Sequence, residues 1–265
     1  MITEHAGSVR SLFDLDGRVA VVTGGHGDLA GSISDALAEL GCAVVLGARR
    51  VEACEAVAHR LQRDHGVRTM AVRTDVSNED DVESLIARAV DTLGSVDVLV
   101  NAAGTFWAAA PEDVPLEKGW RRVLDVNLTG AFLACRAAGR HMLAAGRGSI
   151  VNVTSTGGLM SFMPEVGSTL SYTTSKGALM SLTRDLAAQW AHRGVRVNAI
   201  APGSMAAGMT HSIPDDRQAR MVEHIPMRRQ GRPDELRGAI AYLASEASSY
   251  VTGTVLVVDG GQTIV

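Results

Sequence analysis

RVAVVTGGHGDLAGSISDALAEL, residues 18–40, carries a strand, a glycine-rich turn and a helix in one stretch. The run 18–24 is apolar without alternation, as in a strand covered on both faces. From 29 to 40 the apolar positions recur at helical spacing. Between them, Thr23 to Gly31 form a tight glycine turn that feeds a helix N-terminus. Such a turn lets backbone N–H groups and the positive end of the helix dipole meet a pyrophosphate. Gly24, Gly25 and Gly27 are the candidates for close backbone approach, and His26, Asp28 and Leu29 complete the candidate loop. The competing reading is a plain turn with flexible glycines. Its place after the first strand of an alternating chain favours binding.

The same two patterns repeat outward from this stretch. Further unbroken apolar runs are CAVVLGA (42–48), VRTMAV (67–72), VDVLVNAAG (96–104), GSIVNVTS (148–155), VRVNAIAPG (195–203) and GTVLVVDGG (253–261). Helical segments lie between them at about 29–40, 51–64, 79–93, 117–145 in one or two pieces, 171–192 and 233–245. Strand-helix alternation with right-handed crossovers gives an α/β, doubly wound, mostly parallel seven-stranded sheet, a Rossmann fold. No linker or internal repeat interrupts it. A single domain is expected over 14–265, behind an N-terminal arm of residues 1–13. The segment 203–231, Met-rich and carrying Pro214 and Pro226, fits the alternation worst and reads as a substrate lid.

Composition narrows the function classes. A chain of 265 residues with 46% hydrophobic and 20% charged residues can bury one substantial core. A net charge of −4 argues against a nucleic-acid-binding surface. Arg49-Arg50 and Arg228-Arg229 with Arg232 still leave room for a small anionic ligand. Cys42, Cys54 and Cys135 are odd in number and far apart, so buried reduced thiols are expected rather than a disulfide or metal site. No apolar run reaches the roughly 18 residues of a membrane span. The opening MITEHAGSVRSLFDLDG lacks the basic start and apolar core of a signal peptide. A cytoplasmic enzyme is expected.

Cofactor contacts follow from the strand ends, where ligands of open α/β sheets bind. The second strand ends in Leu46-Gly47-Ala48-Arg49-Arg50. A carboxylate there would accept hydrogen bonds from an adenosine ribose; two cations instead favour the 2′-phosphate of NADP(H), with NAD still possible. Two solvated arginines opening a helix are the alternative. Asp75, followed by Val76, is placed to bond an adenine amino group or to cap the next helix. Asn101, Ala102, Ala103 and Gly104 offer small residues beside which a flat cofactor can lie.

The catalytic signal is SYTTSKGALMSL, where Lys176 follows Tyr172 by one helical turn. Bringing a phenol of pKa about 10 near 7 requires about 4 kcal/mol of preference for the phenolate. One unit charge about 4 Å away supplies roughly that at an effective dielectric of about 20. A tyrosine so tuned exchanges a proton with a substrate oxygen near neutral pH. A structural pair on an amphipathic helix is the alternative for this spacing alone.

Over about residues 14–263 the chain resembles the short-chain dehydrogenase/reductase family. The matching elements are the TGGHG loop, Asp75-Val76, the NAAG run from Asn101, Asn127, Ser155, the YTTSK run, Pro202-Gly203 and Asp259-Gly260-Gly261. The resemblance implies Tyr172 as general acid/base. Lys176 would lower its pKa and bond the nicotinamide ribose. Ser155 would hydrogen-bond the substrate oxygen, and Asn127 would anchor a water that relays protons. Pro202, Gly203 and Met205 would border the nicotinamide. A homotetramer using helices 117–145 and 171–192 is implied as well.

Four positions depart from the family pattern. Asp28 and Ala30 stand where glycines are usual, which brings a carboxylate near the pyrophosphate unless it points outward or caps the helix. Gly27 stands where NADP(H)-preferring members often carry a basic residue. Ala207 stands where many carry a threonine that holds the nicotinamide amide, leaving that contact to backbone groups near Met205.

For substrate, the insert with Pro164-Glu165, Trp107, and Met209-Thr210 resemble gluconate 5-dehydrogenase-like members, which implies a sugar acid or polyol. Lid features such as IPMRRQGRPDEL (225–236) resemble those of 3-oxoacyl-carrier-protein reductase-like members as well. His211, Arg217 and Glu165 suit a sugar acid, with plain solvated surface as the alternative. Phe106, Trp107, Met160, Phe162, Met163, Met205 and Met209 suit an apolar acyl group, with ordinary apolar core as the alternative. The expected activity is NADP(H)-dependent interconversion of a secondary alcohol and a ketone. The alternatives are a 3-oxoacyl thioester reductase, a dehydratase or epimerase on the same scaffold, and a non-catalytic nucleotide-binding regulatory module.

Overall fold

A computed structural model describes residues 8–161, 168–208 and 214–265, without the side chains of 215–217. In chain order, β1 (Val19–Thr23), α1 (Asp28–Glu39), β2 (Ala43–Ala48), α2 (Val51–His65), β3 (Thr69–Arg73), α3 (Glu79–Leu93) and β4 (Val98–Asn101) form the first half. The second half holds α4 (Arg122–Leu124), α5 (Gly130–Ala145), β5 (Gly148–Val153), α6 (Leu170–Trp190), β6 (Val195–Pro202), α7 (Asp215–Glu223), α8 (Arg237–Ala244) and β7 (Val255–Val258). The strands pair in the order β3-β2-β1-β4-β5-β6-β7, every neighbour parallel. This is the expected doubly wound sheet.

Register places the site. Thr23 pairs with Gly47 on one side and Asn101 on the other, so β1, β2 and β4 end on one level. The strand order reverses at β1, and the crevice beyond that point is where such sheets bind ligands. Two apolar cores cover the faces. Leu37, Leu46, Leu61, Ile200 and Ile240 belong to the one under α1, α2 and α8. Leu85, Leu99, Met142, Ile150 and Val197 belong to the one under α3, α5 and α6. The buried thiols divide between them, Cys42 and Cys54 in the first and Cys135 in the second.

Local differences from expectation have local causes. The helical stretch expected over 117–145 runs without a break but is widened in its first half: π-helical turns over Leu116–Arg121 and Asp125–Thr129 flank α4 before regular α5 begins. Widened turns of this kind occur frequently at functional sites. Residues 102–104 leave the β4 ladder and run along the sheet end. The helix expected over 233–245 opens as a 3₁₀ turn, Pro233–Leu236, where Glu235 accepts the Arg232 N–H at 2.8 Å. Within 203–231, α7 was not expected from the apolar pattern, and residues 209–213 lie outside the described part.

Candidate active site

A cleft of about 350 Å³ opens across the carboxyl ends of β1, β2, β4, β5 and β6. Of the residues expected there, Gly24, His26, Gly27, Asp28, Leu29, Arg49, Asp75, Val76, Ala102, Ala103, Gly104, Ser155, Tyr172, Lys176, Pro202, Gly203 and Met205 line it. Gly25, Arg50, Asn101 and Asn127 do not.

The floor is set by Gly24. It holds φ +72°, and a Cβ there would stand 2.8 Å from the Ala103 Cα. Only glycine lets the loop cross the end of β4 this closely. Gly25 instead packs on Leu46, whose Cβ would lie 2.8 Å from an added methyl, so it serves the core and not the cleft. The loop ends at Gly27, where α1 begins and its first N–H groups have no partner within the helix. A backbone cradle against a helix N-terminus suits a pyrophosphate.

One end of the cleft is cationic. Arg49 and Arg122 line it, whereas Arg50 turns to His26, donating to its Nε2 at 2.6 Å from Nη2. Burial, then Arg50 and Arg49, push the His26 pKa down, so the ring is neutral at neutral pH. Arg50 is thus a partner of the loop histidine and not a direct lining group. Asp75 accepts from Ser77 N at 3.0 Å and Ser77 Oγ at 2.6 Å. Burial opposes its charge, but those bonds with Arg49 and Arg122 outweigh it and hold the carboxyl low. One Asp75 oxygen is therefore engaged in a local turn with Ser77 and does not cap α3, whose N-cap is Asn78, accepting Asp81 N at 3.0 Å.

The other end holds the reactive side chains. Lys176 is 4% exposed, and its Nζ donates to Val153 O at 2.8 Å and lies 5.6 Å from the Tyr172 ring centroid. Burial pushes the amine down to about 8. Tyr172 is half-buried at the same wall. Its phenol is pushed up, because burial outweighs the hydrogen bond with Ser155 that pulls it down. This corrects the expectation that Lys176 lowers the phenol in this state. The amine is bound to the β5 carbonyl, and desolvation of both groups wins.

Ser155 Oγ accepts from Gly157 N at 3.1 Å in the turn after β5. That turn lies against α6: a Cβ on Gly158 would stand 2.8 Å from Gly177 N. The absent side chain sets the distance between Ser155 and the Tyr172–Lys176 turn.

Two expected site residues are clasps. Asn127 is buried; its Oδ1 accepts Thr105 N at 2.8 Å, and its Nδ2 donates to Thr105 O at 2.8 Å and Ser175 Oγ at 3.0 Å. Its side chain is committed to tying the β4 exit to α6 beside Lys176. Asn101 points into the core as the last β4 residue and donates to Asn152 Oδ1 at 2.9 Å. Asn152 in turn donates to Thr183 of α6 at 2.9 Å. Asn101 therefore joins β4, β5 and α6, and its side chain turns away from the cleft.

Sequence reasoning missed Arg122, Val126, Thr105 and Gly208 in the cleft lining. Arg122 and Val126 are four residues apart ahead of Asn127, a helical spacing that places both on one face. Phe162, Met163, Glu165, Met209, Thr210 and His211 lie outside the described residues, as does the Arg217 side chain. The Trp107 ring packs over Gly119. No group of three potential metal ligands occurs among the described residues. None of their helices is long and apolar enough to cross a membrane.

Fold and cleft together define a nicotinamide-dependent oxidoreductase class. The family described as Enoyl-(Acyl carrier protein) reductase matches residues 27–263. The chain is 44% identical over 248 residues to a cis-4-hydroxycyclohexanecarboxylate dehydrogenase of Sinomonas cyclohexanicum, covering 94% of this chain and 97% of that one. It is 38% identical to the 2-dehydro-3-deoxy-D-gluconate 5-dehydrogenase of Escherichia coli K12, covering 96% and 98%. A gluconate 5-dehydrogenase from Burkholderia cenocepacia J2315, solved with NADP and tartrate, superposes with a TM-score of 0.90 at 33% identity, covering 96% and 98%. The chain belongs to the short-chain dehydrogenase/reductase family and is an oxidoreductase acting on CH–OH groups.

Proposed function

We propose that this enzyme uses NADP(H) to interconvert a secondary alcohol and a ketone on a small polyol, sugar acid or hydroxylated ring acid. The observation that carries the reading is the convergence of Ser155, Tyr172 and Lys176 on the wall opposite the cationic end of one cleft. The names of the similar dehydrogenases support the substrate class, since each acts on a secondary hydroxyl of a small acid or polyol.

The cleft fits a dinucleotide. Gly24, Gly27 and the α1 N-terminus would hold the pyrophosphate, Arg49 the adenosine 2′-phosphate, and Val76 with Ala102 the adenine region. Lys176 would bond the nicotinamide ribose through donors besides the one on Val153 O. When bound, NADPH supplies the hydride for ketone reduction and NADP⁺ accepts it in the reverse direction. Ser155 orients the substrate oxygen. Tyr172, whose raised pKa keeps its proton at neutral pH, protonates that oxygen as negative charge develops on it. In alcohol oxidation the same phenol must first lose its proton and then takes the hydroxyl hydrogen. Asn127 positions the Lys176 turn through Ser175 and Thr105.

We assign 203–231 to a substrate lid; its described part brings Met205 and Ala207 into the cleft. We assign residues 14–265 to the catalytic domain, with 1–13 as an arm and a cytoplasmic location. Assembly is a homotetramer in which Phe132 of α5, 40% exposed, contributes to an interface. Leu179 of α6 is already buried within the subunit and does not. A 3-oxoacyl thioester is the second reading, supported by the apolar Met205 and Ala207 at the substrate end. The test is a panel of gluconate, 5-ketogluconate, galactitol, cis-4-hydroxycyclohexanecarboxylate and a 3-oxoacyl thioester, each with NADP(H) and NAD(H). Turnover of a polyol or acid with NADP(H) is expected. Turnover confined to the thioester overturns the substrate class, and none with tight NADPH binding overturns the assigned chemistry.

A further inference from the structure

Asp28 occupies a position where glycine is usual in the family, at the first turn of α1 and beside the pyrophosphate cradle. A carboxylate there is unfavourable for a dianionic group nearby unless something else holds it. The structure supplies that partner from the opposite wall: Asp28 Oδ2 accepts the Gly208 N–H at 2.7 Å, across 180 positions of sequence. Both residues line the cleft.

Gly208 lies on a strap that begins where β6 stops at Pro202. Along it, Ser204 N bonds Gln262 Oε1 at 3.3 Å, Ala206 N bonds Gly231 O at 2.8 Å, and Gly231 N bonds Ser204 O at 3.0 Å. These three bonds fasten the strap to its own side of the sheet. The Asp28 bond alone among those named crosses to α1. Met205 and Ala207, between the fastened part and the crossing, are buried at 5% and 7% exposure and face the cleft. Ala207 stands where a threonine hydroxyl would otherwise fix this segment on the cofactor, so a bond to the protein's own far wall takes that restraining place.

We propose that Asp28 is a positioning residue that straps Pro202–Gly208 across the cofactor cleft and slows nucleotide release. The inference rests on the cofactor reading above and deepens it. The acceptor oxygen makes the strap, whereas the charge works against the bound phosphates. Two substitutions separate these effects. Asp28→Ala removes both oxygen and charge; Asp28→Asn keeps an acceptor for Gly208 N–H and removes the charge.

The test measures NADPH release by stopped-flow fluorescence, together with amide hydrogen exchange of the 203–208 segment in the nucleotide-free protein. Asp28→Ala should release NADPH about tenfold faster, the scale of losing one bond to a charged acceptor at a partly exposed site, and should exchange the segment faster. Asp28→Asn should keep release within about twofold of the parent and bind no more weakly, since repulsion has fallen. Equal behaviour of the two variants, or unchanged exchange in Asp28→Ala, overturns the strap. Failure of the parent protein to bind NADPH overturns the cofactor reading instead, and the exchange measurement still tests the strap by itself.

Discussion

Replacing Tyr172 with Phe removes one oxygen from the wall of the cleft and changes little else. The ring keeps its place in α6 and its contact with the Lys176 ammonium, 5.6 Å from the centroid. What is lost is a proton donor whose pKa burial has raised, and which is therefore almost fully protonated at neutral pH. A positioned acid or base contributes on the order of 10²–10⁴ in rate, equivalent to about 3–5 kcal/mol of barrier. Ser155 keeps its hydroxyl beside the substrate oxygen, so a residual rate supported by that group and by bound cofactor should persist. The assay is kcat for ketone reduction on the best substrate of the panel, paired with NADPH affinity by fluorescence. The expected result is a fall in kcat within that range and an affinity close to the parent's. A kcat within about tenfold of the parent refutes the acid/base role. A parallel collapse of NADPH binding shows instead that the phenol is part of the cofactor's seat.

Because the phenol is raised, alcohol oxidation should climb steadily from neutral to alkaline pH, whereas ketone reduction, which uses the protonated phenol, should hold until pH exceeds the ordinary phenol value of about 10; pH profiles of kcat/KM in both directions, compared with Tyr172→Phe, check this. Lys176 has a folded pKa of about 8, below its ordinary 10.5, so its ammonium is disfavoured by folding. That penalty is fully present below about 8 and relieved as pH rises towards 10.5. Lys176→Met should therefore raise Tm at pH 7 while removing activity, and a lowered Tm contradicts the sign. Arg49→Ala should weaken NADPH binding by about 10- to 100-fold and leave NADH nearly unchanged, read by fluorescence titration. Gly158→Ala forces a methyl to 2.8 Å from Gly177 N, so it should lower kcat by displacing Ser155 while nucleotide affinity holds.

Much of the architecture is legible in one dimension because its determinants are local. Unbroken Val-rich runs alternating with 3.6-residue periodicity determine seven strands and their helices. Parallel pairing and right-handed crossovers then leave few topologies. The catalytic turn is equally local, since Tyr172 and Lys176 share one face of α6 whatever surrounds it. The cradle is half-local: the glycines mark the turn, but which of them faces the ligand depended on packing. Gly25 lies on Leu46, and Gly24 on Ala103.

Where a side chain's partner comes from a distant part of the chain, only tertiary structure decides its role. Asn101 and Asn127 read as site residues from their neighbours in sequence. Each is committed across 22 to 51 positions, to Thr105 and Asn152 among others, because a buried amide must satisfy its donors. Arg122 reaches the cationic end only once the helix lead-in is laid against the sheet. The direction of the Tyr172 shift likewise depends on burial, which a four-residue spacing does not contain. The sequence by itself determined the strands, most of the helices and the catalytic turn, since backbone periodicity and i, i+4 adjacency need no partner. Which of the singled-out residues face the cleft, and what charge they carry there, came from the packing, since desolvation and long-range hydrogen bonds exist only after the chain has closed on itself.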